Sequence, residues 1–467
     1  MSTFEGVLYG IVLACLVYLA VVFALDLVLA LVAFGENRTR IREAEAEDYA
    51  TIAASRFTIP VSIIAPMRDE EVVAVSVVDA LLAIEYPELE VIIVNDGSSD
   101  ATLDILLAEY GLQQIERFPR RVYETGLVRA VYRSTTDPRL TVVDKETVGV
   151  KADAVNCGLN FARYRYVCCV DGDTIYHRDA LLRSMRRAIR DPGTVIGITS
   201  QIEVATRPEI PYGQDGGLLR SPVLQVFQHL EYLRAFLNDR LAWSRLSFML
   251  CTSGAFMLYR RDVLDEVGGF SNNFSCEDIE LTFRVHERFL REKRPYQIVA
   301  MPEAVGRTEG PSRHGSLISQ RARWQRVILE TTWEYRRMFL NPKYGRFGLL
   351  GFPFLVLSEV LAPFMEALGV TTLVVAALLG LVSWTQWALL VGVMSFANAG
   401  LTVLAIRLED VATRSYRVRD LLWLIALSPL EIVFYRPPLL WAHAQGVVGF
   451  ARGDRSWERF DRNERSA

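Results

Sequence analysis

The chain has 467 residues, of which 51% are apolar and 23% charged, with a formal net charge of −4. That mildly acidic balance argues against a nucleic-acid-binding protein, which should carry a basic face. The six cysteines (Cys15, Cys157, Cys168, Cys169, Cys251 and Cys276) form no CxxC pair with a matching His or Cys cluster, which argues against zinc and reads as a set of reduced thiols.

The first element is a near-continuous apolar run over residues 7–34, interrupted only by Asp26. It exceeds the roughly 20 residues needed to cross the hydrocarbon core. The alternative is a signal peptide, whose apolar core should be about 7–15 residues with a basic stretch before it. No Lys or Arg precedes this run, whereas Arg38, Arg40 and Arg42 follow it, so the positive-inside rule places the next domain in the cytosol. Asp26 either faces a partner helix or snorkels inward.

From about residue 57 to residue 335, short β-rich runs alternate with helical stretches. Residues 61–65 read as a strand ended by Pro66, 70–83 as a helix, and 89–94 as a strand running into Asn95-Asp96-Gly97-Ser98-Ser99-Asp100. A helix opens at Ala101, capped by Ser99 or Asp100. Further strands are expected at 140–143, 166–170 and 194–198. The neighbours Cys168 and Cys169 should point to opposite faces of theirs. The alternation argues for a mostly parallel sheet with helices on both faces, whose ligand sits beyond the carboxyl ends of the strands.

Acidic clusters fall at those ends. Asp96 follows a strand and can accept hydrogen bonds from a base or ribose; the plainer reading is a turn or capping residue. Lys151 opens a helix and suits a phosphate contact, against the reading of a solvated lysine. Asp171-Gly172-Asp173 ends the apolar strand at 166–170. Two hard oxygen ligands one residue apart suit Mg²⁺ or Mn²⁺ bridging to phosphates; the plain reading is a solvated turn. Such an ion offsets charge on a departing diphosphate. Glu277-Asp278 opens an amphipathic helix over 279–288. Helix macrodipoles favour acids there, and a general base for an acceptor hydroxyl is the chemical reading. In Gln320-Arg321-Ala322-Arg323-Trp324, the helical spacing puts Gln320, Arg323 and Trp324 on one face. Arg suits a diphosphate and Trp a sugar ring, while the plain reading is a basic helix beside lipid headgroups.

A second apolar block covers 347–406 and divides at about 347–367, 369–384 and 386–407. Glu359, Glu366, Pro353 and Pro363 make an interfacial helix the alternative for its first part. After a polar stretch at 409–420, residues 421–444 form a further candidate span, kinked by Pro429 and Pro437-Pro438, and a charged tail begins at Arg452.

In order and spacing, the set resembles the processive family 2 glycosyltransferases, the synthases of cellulose, hyaluronan, chitin and poly-N-acetylglucosamine. The matching stretches are Pro66-Met67-Arg68-Asp69-Glu70-Glu71, Val94 to Asp100, Lys151-Ala152-Asp153-Ala154-Val155-Asn156, Asp171-Gly172-Asp173, Cys251-Thr252-Ser253-Gly254-Ala255, Glu277-Asp278 and Gln320 to Trp324. The resemblance implies an α/β fold, a GT-A type nucleotide-sugar-binding domain flanked by transmembrane α-helices. It implies an N-terminal transmembrane helix (1–35), a linker (36–56), a cytosolic catalytic domain (57–340), C-terminal transmembrane or interfacial helices (341–450) and a charged cytosolic tail (451–467). It implies Asp96, Lys151 and Asp171 on a UDP-sugar, Asp171 and Asp173 on Mg²⁺ or Mn²⁺, and Asp278 as the catalytic base. Gln320, Arg323 and Trp324 would hold the diphosphate and the acceptor end; Ser253, Gly254, Ala255 and Glu277 would line the acceptor site. The implied reaction is inverting transfer to a growing β-linked glycan, at a multi-pass position in the plasma (inner) membrane, with accessory secretion subunits as partners and no nucleic acid. The loop Asp173-Thr174-Ile175 is closest to poly-N-acetylglucosamine synthase-like members. Cys276 stands where many relatives have Thr, and Ser319 where some have Gln. A transferase adding one sugar to a lipid-linked acceptor is the competing reading, and a membrane scaffold with a dead transferase domain is a third.

Overall fold

A computed structural model describes residues 3–46, 51–52, 55, 58–205, 219, 221–413 and 416–453. Strands form where β-branched residues run together. β1 (Val61–Met67), β2 (Leu89–Asp96), β5 (Leu140–Lys145) and β6 (Tyr166–Val170) are buried almost throughout, as strands covered on both faces must be. The others are β3 (Leu112–Gln114), β4 (Val128–Ser134), β7 (Ile175–Tyr176), β8 (Val195–Ala205), β9 (Phe256–Arg260) and β10 (Gln297–Glu309). They form one ten-stranded sheet in the order β3-β4-β5-β2-β1-β6-β9-β8-β10-β7.

The sheet is mixed, not mostly parallel. β5, β2, β1 and β6 run parallel, as do β8 and β10, but β9 inserts antiparallel between β6 and β8, and β3, β4 and β7 are also antiparallel. The composition of Phe256–Arg260 suits either direction; its pairing with β6 and β8 is antiparallel on both sides. Pro66 lies inside β1, not after it. β6 pairs only with residues 61–64, so the proline's missing N–H falls where that side of β1 is open. Cys168 and Cys169 enter different cores on opposite faces of the sheet, and all six cysteines are free.

The helices of the core are α2 (Ala74–Leu82), α3 (Thr102–Glu109), α4 (Lys151–Phe161), α5 (Ala180–Arg190), α6 (Val223–Leu233), α7 (Leu241–Leu246), α8 (Arg261–Val267), α9 (Glu277–Arg291) and α10 (His314–Glu334). α2 starts four residues later than expected, because Asp69 adopts a positive φ and Glu70 turns its amide to the Thr102 hydroxyl at 2.8 Å. α3 begins at Thr102, whose amide donates to Asp100 at 3.0 Å.

Among the described residues, three helices are long and apolar enough to cross a membrane: Gly6–Glu45 within α1 (Thr3–Glu45), α11 (Phe347–Leu378) and Trp384–Asp410 within α12 (Trp384–Thr413). The expected break near residue 368 is absent: residues 347–378 form one helical run with π turns, and the break comes later, at Gly380 with φ +72°. The candidate at 421–444 is interrupted where its prolines fall: it divides into α13 (Val418–Leu427), a 3₁₀ turn at Ser428–Leu430, α14 (Glu431–Phe434) and α15 (Arg436–Arg452). Pro429 and Pro437 each sit in a first helical turn, where a missing N–H is tolerated. α1 continues through 36–45 of the expected linker; 47–50, 53–54 and 56 of that linker, residue 57, and the tail from residue 454 lie outside the described residues.

Candidate active site

Two charged clusters form at the carboxyl ends of the parallel strands. Register creates the first. Asp96, last in β2, lies beside Lys145, last in β5. The Lys145 side chain is fully buried, and its Nζ stands 2.6 Å from both Asp96 Oδ1 and Asp153 Oδ2. Thr147 Oγ1 donates to the second Asp96 oxygen at 3.1 Å, and the Gly126 amide donates to Asp153 at 3.2 Å. Asp96 is therefore a buried, doubly held carboxylate. Neither Lys145 nor Asp153 was among the expected site residues; the signals were the position of Lys145 at the end of the next strand and the place of Asp153 in the Lys151–Asn156 stretch that carries the resemblance.

The second cluster joins four separate stretches of chain. Lys151, first in α4, donates to Asp171 Oδ1 at 2.6 Å and to the Gly254 carbonyl at 3.3 Å, and its ammonium forms an ion pair with Glu277 Oε1 at 2.7 Å. The Gly254 amide donates to Asp278 Oδ2 at 3.0 Å, and the Ile279 amide to Asp278 Oδ1 at 2.8 Å. Tyr176 OH donates to the Ala255 carbonyl at 2.6 Å, and the Ser253 amide to Thr199 Oγ1 at 3.1 Å, which fixes the 253–255 loop. Gly172 has no room for a side chain: a Cβ would meet the Pro66 carbonyl oxygen at 2.4 Å. The strand end thus needs a glycine between its two aspartates.

The electrostatics follow from this packing. Burial pushes the Asp171 carboxyl up to about 6, against the pull of Lys151 and with a contribution from Asp173. Burial also raises Asp278, and the neighbouring Glu277 charge adds to it. At Glu277 burial is outweighed by Lys151, with Arg323 contributing, so its carboxyl lies below the ordinary range.

α10 docks beside the start of α9 through Arg326, which donates to Ser275 Oγ at 2.8 Å. This brings Arg323 within the electrostatic reach of Glu277. Gln320 and Trp324 are both engaged by Arg321, a residue the helical spacing did not single out. Its guanidinium donates to Gln320 Oε1 and to Glu231 Oε2, each at 2.6 Å, and its Cζ lies 4.0 Å from the Trp324 ring centroid. Tyr232 packs against the same indole, with centroids 6.4 Å apart.

Among the described residues, no group of three or more His, Cys, Asp or Glu is placed to hold a metal ion alone. Asp171 and Asp173 form a two-carboxylate oxygen set with mutual repulsion to relieve. That set fits an Mg²⁺ or Mn²⁺ ion completed by phosphate oxygens and water.

A mixed sheet with acidic groups at its carboxyl edge is the GT-A architecture of glycosyltransferases that use nucleotide-sugars. The chain belongs to the glycosyltransferase like family 2, whose model matches residues 60–326. It is 28% identical over 260 residues to the poly-beta-1,6-N-acetyl-D-glucosamine synthase of Staphylococcus epidermidis, covering 54% of this chain and 52% of that protein. The same-named protein of Staphylococcus aureus strain COL is 27% identical over 271 residues, covering 58% and 54%. The chain thus spans about half the length of the curated relatives it matches. Its fold is similar to that of the mannosyltransferase PcManGT from Pyrobaculum calidifontis, solved in complex with GDP-Man and Mn²⁺ (TM-score 0.53, 17% identity, 93% of this chain and 99% of that one).

Proposed function

We propose that this protein moves a sugar from a UDP-sugar to a growing β-linked glycan of the poly-β-1,6-N-acetylglucosamine kind, processively, at the cytosolic face of a membrane. The supporting observation is the Lys151 ammonium, which ties Asp171 at the strand end to Glu277 beside Asp278. Donor and acceptor chemistry then share one cleft.

Asp278 takes the proton from the acceptor hydroxyl as that oxygen attacks the anomeric carbon. The bond to the diphosphate breaks in the same in-line step, which inverts the configuration. The Gly254 and Ile279 amides hold the two Asp278 oxygens and so orient the base. Asp96 and Lys151 bind on the donor side; Ser253, Gly254, Ala255 and Glu277 face the acceptor. Arg323 offers charge to the diphosphate, and Gln320 and Trp324 steady the acceptor end. A divalent ion held by Asp171 and Asp173 would stabilise the negative charge of the departing diphosphate. The three apolar helices support a multi-pass membrane position, and Arg38, Arg40 and Arg42 support a cytosolic catalytic domain.

The test is transfer from labelled UDP-sugars by the purified full chain in detergent, comparing Mg²⁺ with Mn²⁺. Polymer made from UDP-N-acetylglucosamine is the expected result. Single-sugar products would overturn processivity and favour a lipid-linked acceptor. Absence of transfer from every UDP-sugar would overturn the donor class.

A further inference from the structure

A cavity of about 550 Å³ lies where α1 and α11 meet the catalytic domain. Glu36, Thr39, Arg40 and Glu43 of α1 form one wall, Arg346 and Phe347 at the start of α11 another. Leu290, just before the end of α9, and the first residues of β10 close it. α9 begins at Glu277 and first meets the cavity at His286, nine residues on, which puts the cavity wall roughly 13 Å along the helix from the carboxylate cluster. No residue assigned to transfer lines it.

The lining is unusual for a protein of net charge −4. Five arginines (Arg40, Arg187, Arg245, Arg294 and Arg346) and two glutamates (Glu36 and Glu43) line it; Arg294 is paired outside the cavity with Glu266 and Glu292 at 2.6 and 3.3 Å, so the other four arginines outnumber the two glutamates by two. The glutamates are already paired: Glu36 to Arg40 at 2.6 Å and, more loosely, to Arg245 at 3.8 Å; Glu43 to Arg40 at 3.3 Å, Arg187 at 3.4 Å and Arg190 at 3.8 Å. Arg40 Nε and Arg187 Nε nevertheless remain buried with no hydrogen-bond partner among the described residues. Buried donors of this kind call for an acceptor. Guanidinium forks match phosphate oxygens, and the volume is that of an organic ligand, well above that of a bare ion.

We propose that this cavity binds a phosphate-bearing organic anion, and that its position at the foot of two apolar helices makes an anionic phospholipid headgroup the source. Arg40 and Arg187 would hold the phosphate, with Arg245 and Arg346 attracting it from the rim. The lipid source rests on the membrane placement proposed above; the phosphate chemistry does not.

The test uses the full chain in phosphatidylcholine nanodiscs doped with phosphatidylglycerol, with retained lipid weighed by native mass spectrometry. Insertion is checked first by resistance to carbonate extraction, so failed membrane placement is read separately from failed binding. Wild type should retain phosphatidylglycerol selectively. R245Q/R346Q should lower retention roughly tenfold or more, whereas R129Q/R178Q, matched in charge at exposed positions elsewhere, should not. E43Q, which removes a competing carboxylate, should raise it. Glycerol 3-phosphate bound in calorimetry with the same dependence on the variants, without lipid retention, would identify a soluble source and leave the phosphate site standing. Binding of neither probe, or binding that R245Q/R346Q and E43Q leave unchanged, would overturn the proposal.

Discussion

The Gly254 amide donates to Asp278 Oδ2 at 3.0 Å, so the acceptor loop itself positions the proposed base. A Cβ at Gly254 would stand 3.2 Å from that oxygen and 3.5 Å from Glu277 Oε1. Gly254→Ala should therefore displace the carboxylate by a few tenths of an ångström and lower kcat by roughly 10–100-fold. UDP affinity, measured by calorimetry, should hold within about twofold, because the one contact Gly254 makes with the donor-side Lys151 runs through its backbone carbonyl, which the substitution keeps. Loss of UDP binding together with turnover would place Gly254 on the donor side instead.

Asp278→Asn keeps the shape and removes the base, so kcat should fall by about 10²–10⁴-fold with the fold intact. Unchanged turnover would eliminate Asp278 as the base.

The pH profile tests the same group. Burial and the Glu277 charge raise the Asp278 carboxyl. Its base form exists only above that raised value, so kcat/KM should fall with decreasing pH at a point above the ordinary carboxylate value of about 4. Glu277→Gln removes the neighbouring negative charge and should move this acid limb to lower pH. A limb that stays fixed or moves upward contradicts the assignment.

Lys145 is fully buried between two carboxylates. Lys145→Met strands Asp96 and Asp153 without a cation and should cost about 3–5 kcal/mol of stability. Adding Asp96→Asn and Asp153→Asn should recover most of that loss, since no unpaired charge then remains. Denaturant midpoints in detergent would measure both; equal losses in the single and triple variants would mean that packing, not charge, is what Lys145 contributes.

Arg321→Lys keeps the charge but gives up the planar group that lies 4.0 Å from the Trp324 ring centroid and reaches Gln320. An ammonium cannot make both contacts. We expect about a tenfold loss in kcat/KM, together with a change in tryptophan emission. Altered emission without any loss of transfer would remove Trp324 from the acceptor site.

Much of the site was legible along the chain. Asp171 and Asp173 terminate an apolar run, Glu277-Asp278 opens a helix, and β6 begins and ends where its composition indicates. Each of those readings depends on neighbours within a few residues. Lys145 and Arg321 escaped because nothing local marks them: one acquires its role from strand register, the other from a glutamate 90 positions earlier.

Local periodicity and chemistry, then, were enough to determine an apolar anchor, an alternating α/β core and the identities of the acidic groups. Tertiary structure alone decided that β9 runs against its neighbours, that 347–378 is one helical run, and that a single lysine gathers carboxylates contributed by distant parts of the chain. The physical reason is range. Backbone preference and hydrophobic period act over a few residues, whereas strand direction and charge pairing are chosen by contacts that exist only once the chain has closed on itself.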